Sequence, residues 1–116
     1  MSVKLLIGFG FFILLHVLAW FSTNLQFFSG EIAKKALPIA IALAIPTTVT
    51  AYYASKFTYE GLGGTAWGAR FVSFGTSYLI FPFLTWWLLK EPTFTPKTMV
   101  CIALSLVIIL IQVFWK

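Results

Sequence analysis

Acid is what this 116-residue sequence lacks most: it has three glutamates and no aspartate. It also has a single histidine and a single cysteine. General acid–base pairs and nucleophile–base–orienter sets need several such groups together, so no enzyme is expected. The same shortage leaves too few ligands for a metal, and no cofactor motif stands in its place. One cysteine, Cys101, excludes an internal disulfide framework, and no zinc-type Cys/His spacing is present. Cys101 lies in an apolar run, where an inert buried thiol is expected. Charged residues make up 9% of the chain, against about 25% in a soluble domain. The eight Lys/Arg give a net charge of +5 but form no basic patch on an exposed surface, so nucleic acid is not expected as a partner. Flanking lysines that meet lipid headgroups account better for the excess.

What fills the chain is apolar. Hydrophobic residues are 60% and aromatic residues 19% of the sequence. Four runs, about 5–28, 37–54, 66–89 and 99–115, each approach the roughly 20 apolar residues that a membrane span needs. The expected fold is therefore all-α: an integral membrane bundle of four transmembrane helices, up-down-up-down, forming one domain over residues 1–116. Lys4 before the first run imitates a signal peptide, but the run is longer than a usual signal core. No small-x-small cleavage site follows, and Ser22, Thr23 and Asn24 stand where one would lie. A retained first helix is expected, ending near Gly30, followed by a short polar loop over Glu31–Lys35.

Pro38 suits the first turn of the second helix. Pro46 is expected to kink that helix, with Thr47, Thr48 and Thr50 placed either to repair the freed backbone or to line a polar cavity. Residues 55–65, with Gly61, Gly63 and Gly64, read as a flexible surface turn; no GxxxxGK[ST] is present, so nucleotide binding is not expected. Pro92 and Pro96 bound the last turn. Tyr52, Tyr53, Tyr59, Trp67 and Trp115 would sit at one membrane face, and Phe27, Phe28, Trp86 and Trp87 at the other. The basic residues divide evenly: Lys4, Lys56, Arg70 and Lys116 on one side, Lys34, Lys35, Lys90 and Lys97 on the other. The positive-inside rule then gives no orientation. Either the small count hides a bias, or the chain inserts weakly or both ways, which would permit an antiparallel dimer.

The segment Pro82-Phe83-Leu84-Thr85-Trp86-Trp87-Leu88-Leu89-Lys90-Glu91-Pro92, followed by an aliphatic helix to Trp115, resembles the end of a drug/metabolite transporter unit. In that superfamily a helix commonly runs into a Glu-Pro turn before an apolar final helix. The size and four-helix plan are similar to its small members: the small multidrug resistance transporters, the paired lipid-linked aminosugar flippase subunits, and an uncharacterised four-helix branch. The Pro-Phe late in the third helix and the Lys-Glu-Pro turn resemble that last branch most. The resemblance implies a transporter fold. It does not bring the proton-coupled mechanism with it, because the membrane-embedded glutamate of the first helix has no counterpart before Ser29. His16 stands roughly where that group would be.

His16 is the first candidate for a substrate or proton site, since ionisable groups near a bilayer centre are costly and face the bundle interior. An imidazole's ordinary pKa, about 6.5, suits proton exchange. The plain alternative is a neutral ring making one interhelical hydrogen bond. Trp20, Thr23 and Phe27 follow it at helical spacing. Arg70, Ser73 and Ser77 form a polar stripe on the third helix. Arg70 either snorkels to headgroups, pairs with Glu60, or forks onto an anionic group such as a lipid phosphate or carboxylate. Gly8, Gly10 and Gly75 suit close helix packing, and Gln112 an interhelical hydrogen bond.

The candidate substrate-binding residues are therefore His16, Trp20, Thr47, Arg70, Ser73 and Ser77. The expected function is movement of a small amphipathic or lipid-linked organic solute across the cell (inner) membrane. Membrane lipid would be a partner, and so would further copies or other subunits, because four short helices enclose little cavity alone. A non-transporting scaffold subunit of a larger complex and a small oligomeric channel are the alternatives.

Overall fold

The computed structural model describes residues 2–115, and among them every regular element is helical. The first long helix, α1, spans Val3–Asn24, with the Ser2 hydroxyl accepting from the Leu5 amide at 3.2 Å. It stops short of the expected Phe28 and tightens into a 3₁₀ turn, Leu25–Phe27. The cause is local: Thr23 donates to the Ala19 carbonyl, Asn24 to that of Trp20 and Gln26 to that of Thr23. Such short polar side chains compete with the helix for its backbone. Gly30 then turns with φ 80°, and the expected polar loop contains one helical turn, α2, Glu31–Lys34. Lys34 and Glu31 pair across that turn at 3.4 Å.

The next helix, α3, spans Ala36–Gly61 and passes through Pro46 without a break. Thr50 donates to the Pro46 carbonyl at 2.7 Å. The helix extends well beyond Ala54, so Lys56 and Glu60 belong to its last turns and not to a flexible connector. Nothing between residues 54 and 61 breaks a helix, and the glycines end it by a defined motif. Gly63 donates to the Glu60 carbonyl and Gly64 to that of Tyr59, with φ of 84° and 93° at the two glycines. This is a Schellman closure, which needs a left-handed residue that glycine supplies at little cost.

Helix α4 spans Ala66–Leu89, capped by the Thr65 hydroxyl, which accepts from the Gly68 amide at 3.1 Å. It ends at Lys90, left-handed with φ 60°. The turn that follows is tied back onto the helix by Thr93, whose hydroxyl donates to the Pro82 carbonyl at 3.0 Å. Helix α5 spans Pro96–Phe114, with Thr95 as its cap and Pro96 in its first turn. The four long helices, α1, α3, α4 and α5, are long and apolar enough to cross a membrane, which points to a membrane protein.

Helix α1 is the centre. Its most extensive contact is with α3, then α4, while α5 packs chiefly on α4. The start of α1 lies along the end of α3. A Cβ on Gly8 would run into Thr58, and one on Gly61 would lie 2.7 Å from the Leu5 backbone nitrogen. These two glycines set the spacing of the pair, because the backbones approach where a Cβ would otherwise stand. Gly10, also expected to pack closely, has open space around it. Phe12, Ala54 and Val72 meet where α1, α3 and α4 come together. Further along, fully buried Trp20 donates its indole N–H to Thr85 of α4 at 2.9 Å.

Helix α5 buries only Ser105. Gly75 of α4 lies against Ile109 and the Ser105 carbonyl, and Gly68 against the Gln112 side chain. Cys101 is exposed, contrary to the expected buried thiol. It precedes the buried Ser105 by one turn, and the Ser105 hydroxyl donates to the Cys101 carbonyl at 2.9 Å.

Candidate functional site

A cleft of about 520 Å³ opens between α1, α3 and α4. Its floor is Phe12 and Leu15 of α1, with small Ala51 and Ala69 beside them from α3 and α4. Its walls are polar. From α3 come Tyr52, Ser55, Lys56 and Tyr59, which recur at three- and four-residue spacing and so share a face. From α4 come Arg70 and Ser73, one turn apart. Helices α3 and α4 touch each other less than either touches α1. The cleft is thus a trough with α1 as its base.

Charge in the trough has one sign. Lys56 and Arg70 line it and no carboxylate does. Of the alternatives for Arg70, the pairing with Glu60 is not formed: Glu60 meets Lys4 at 3.2 Å, drawn there by the close approach of the α1 start to the α3 end. Among the described residues the only ion pairs are Lys4–Glu60 and Lys34–Glu31, so neither cation of the cleft is neutralised. The Arg70 guanidinium lies 4.5 Å from the centre of the Phe74 ring, a cation–π contact that steadies the side chain. Lys56 lies 5.9 Å from the Phe57 ring centre.

One turn deeper, each of the three helices presents a polar residue. His16 follows Phe12, Thr47 precedes Ala51, and Ser77 follows Ser73. His16 is only 6% exposed, and its Nε2 has no hydrogen-bond partner. The ring stacks on Phe12 at 6.0 Å and meets the edge of Phe81 at 6.3 Å. Thr47 is half-buried, and its hydroxyl is likewise buried and unpartnered. An unmade hydrogen bond in an apolar setting costs about 1–3 kcal/mol, so both atoms favour any polar group that reaches them.

The six candidate residues therefore separate. Arg70 and Ser73 line the cleft; His16, Thr47 and Ser77 stand one turn beyond it on its three helices; Trp20 is engaged with Thr85. Thr23 and Phe27, which share helical spacing with His16, are exposed. Sequence reasoning missed Tyr52, Ser55, Lys56 and Tyr59 as a group, because it ended the helix at Ala54. The signal was present: glycines at 63 and 64 mark a helix terminus further on, and the four polar residues then fall on one face. No protein-family model, curated protein or solved structure matches this chain.

Proposed function

We propose that this chain is a four-span, up-down-up-down membrane protein of the drug/metabolite transporter type, moving a small amphipathic or lipid-linked organic solute across the membrane as a dimer or larger assembly. The cleft carries this reading. It is polar and cationic at its walls and apolar at its floor, matching a solute with one polar end. Beneath it, unpartnered His16 and Thr47 offer hydrogen bonds to a polar group leaving the mouth. The limited α3–α4 contact leaves α4 freer to shift against the tightly packed α1–α3 pair, as alternating access requires.

A flux screen of amphipathic solutes in proteoliposomes tests the reading. At least one solute should cross faster than in protein-free vesicles, and His16→Ala should slow it about tenfold, the loss of one hydrogen bond to a polar group. Absence of flux for every solute would leave the scaffold reading. That second reading draws on α5, which packs chiefly on α4 and whose outward face is apolar along its length. It predicts a second membrane subunit that co-purifies in fixed ratio and is lost when α5 is altered.

A further inference from the structure

We infer that the cleft takes a phosphate-bearing lipid, with its phosphate at Arg70 and Lys56 and its chain leaving sideways between α3 and α4. This rests on the proposed function for why such a lipid would be moved, but not for its binding. The first argument is charge. Two cations share a cleft with no carboxylate, and the nearby acid, Glu60, is held by Lys4. An anion entering here gains both attractions without breaking an existing ion pair.

The second argument is donor geometry. The contact with Phe74 engages the Arg70 guanidinium through its charge and uses none of its N–H groups as hydrogen-bond donors. No hydrogen bond from Arg70 is formed among the described residues. A planar fork of that kind matches two phosphate oxygens at once. Tyr52, Ser55 and Tyr59 add hydroxyls on the facing wall.

The third argument is depth. The 24 residues of α4 give about 36 Å of length, against about 30 Å of bilayer hydrocarbon. Arg70 lies one turn from the α4 start, and Lys56 just over one turn from the α3 end. Both therefore fall near the hydrocarbon boundary, where a lipid phosphate resides. The apolar floor of Phe12 and Leu15 lies deeper, on the side where the lipid chain would run. A soluble phosphate would use the cations but leave that floor uncovered. A choline headgroup would place a third cation against the two already present.

The test is lipid retention by the purified full chain, read by native mass spectrometry. Phosphatidic acid should be retained about tenfold more than phosphatidylcholine, and Arg70→Gln should remove most of that preference. Arg70→Lys should keep the charge and lose the fork, giving an intermediate loss. Lys35→Gln and Lys97→Gln, at the other end of the helices, should change nothing. Ala51→Trp fills the cleft while keeping both cations, and it should abolish the preference even if Arg70→Gln does not fold. The inference falls if both lipids are retained equally, or if Lys35→Gln and Lys97→Gln act as strongly as Arg70→Gln. It also falls if glycerol 3-phosphate displaces phosphatidic acid at equal concentration. Retention of phosphatidic acid without flux in vesicles would keep the site and remove the transport reading.

Discussion

Helices α1 and α5 are almost equally apolar, and the structure uses them in opposite ways. Helix α1 buries Leu5, Gly8, Phe12, His16 and Trp20, whereas α5 buries Ser105 alone. Hydropathy explains neither role. It reports which solvent a helix prefers, and in lipid an aliphatic side chain gains little by leaving the tails for a protein neighbour. What separates the two is the placement of residues that are small, aromatic or polar. In α1 they recur every four residues, at 8, 12, 16 and 20, and make one continuous face against α3 and α4. In α5 such residues are sparse, and its surface is a near-uniform aliphatic coat.

The two helices also differ in how they touch their neighbours. At Gly61 the α1 backbone itself lies where a Cβ would go, so neither partner can yield. At Gly75 the nearest atoms belong to the Ile109 side chain, which can give way more readily than backbone by a small shift of the less tightly held α5. Gly61→Ala should therefore cost about 3 kcal/mol of overpacking, measured by unfolding in mixed detergent micelles. Gly75→Ala should cost about 1 kcal/mol in the same titration, with the Ser105 carbonyl limiting the relief. Leu104→Ala, on the exposed face of α5, should stay within about 0.5 kcal/mol of wild type. The order is the content of the comparison. Were Leu104→Ala as damaging as Gly61→Ala, α5 would have a partner along that face, and α1 would lose its place as the sole organiser.

The same contrast governs what could be read from residues alone. Helix α4 was legible to its ends, because its apolar run begins at Ala66 and stops at the Lys90-Glu91-Pro92 turn. Helix α3 was not, because an apolarity criterion closes at Ala54, where polar residues begin, while helical hydrogen bonding continues to Gly61. That difference hid half of the cleft. Arg70 and Ser73 were visible as a stripe, but the facing stripe of Tyr52, Ser55, Lys56 and Tyr59 was assigned partly to an aromatic belt and partly to a loop. Trp20 was identified as a residue of the His16 face, yet its hydrogen bond to Thr85 joins positions 65 residues apart and has no local signature.

Composition and patterning determined that four long helices are apolar enough to cross a membrane and that acid is scarce, since each follows from counting residues along one chain. Tertiary structure decided the rest: that Glu60 is held by Lys4, that Lys56 and Arg70 stand together without an acid between them, and that α1 lies at the centre while α5 lies at the edge. Those outcomes depend on which backbones can approach each other. That is set pairwise by residues such as Gly8 with Thr58 and Gly61 with Leu5, and no single stretch of sequence contains both members of a pair.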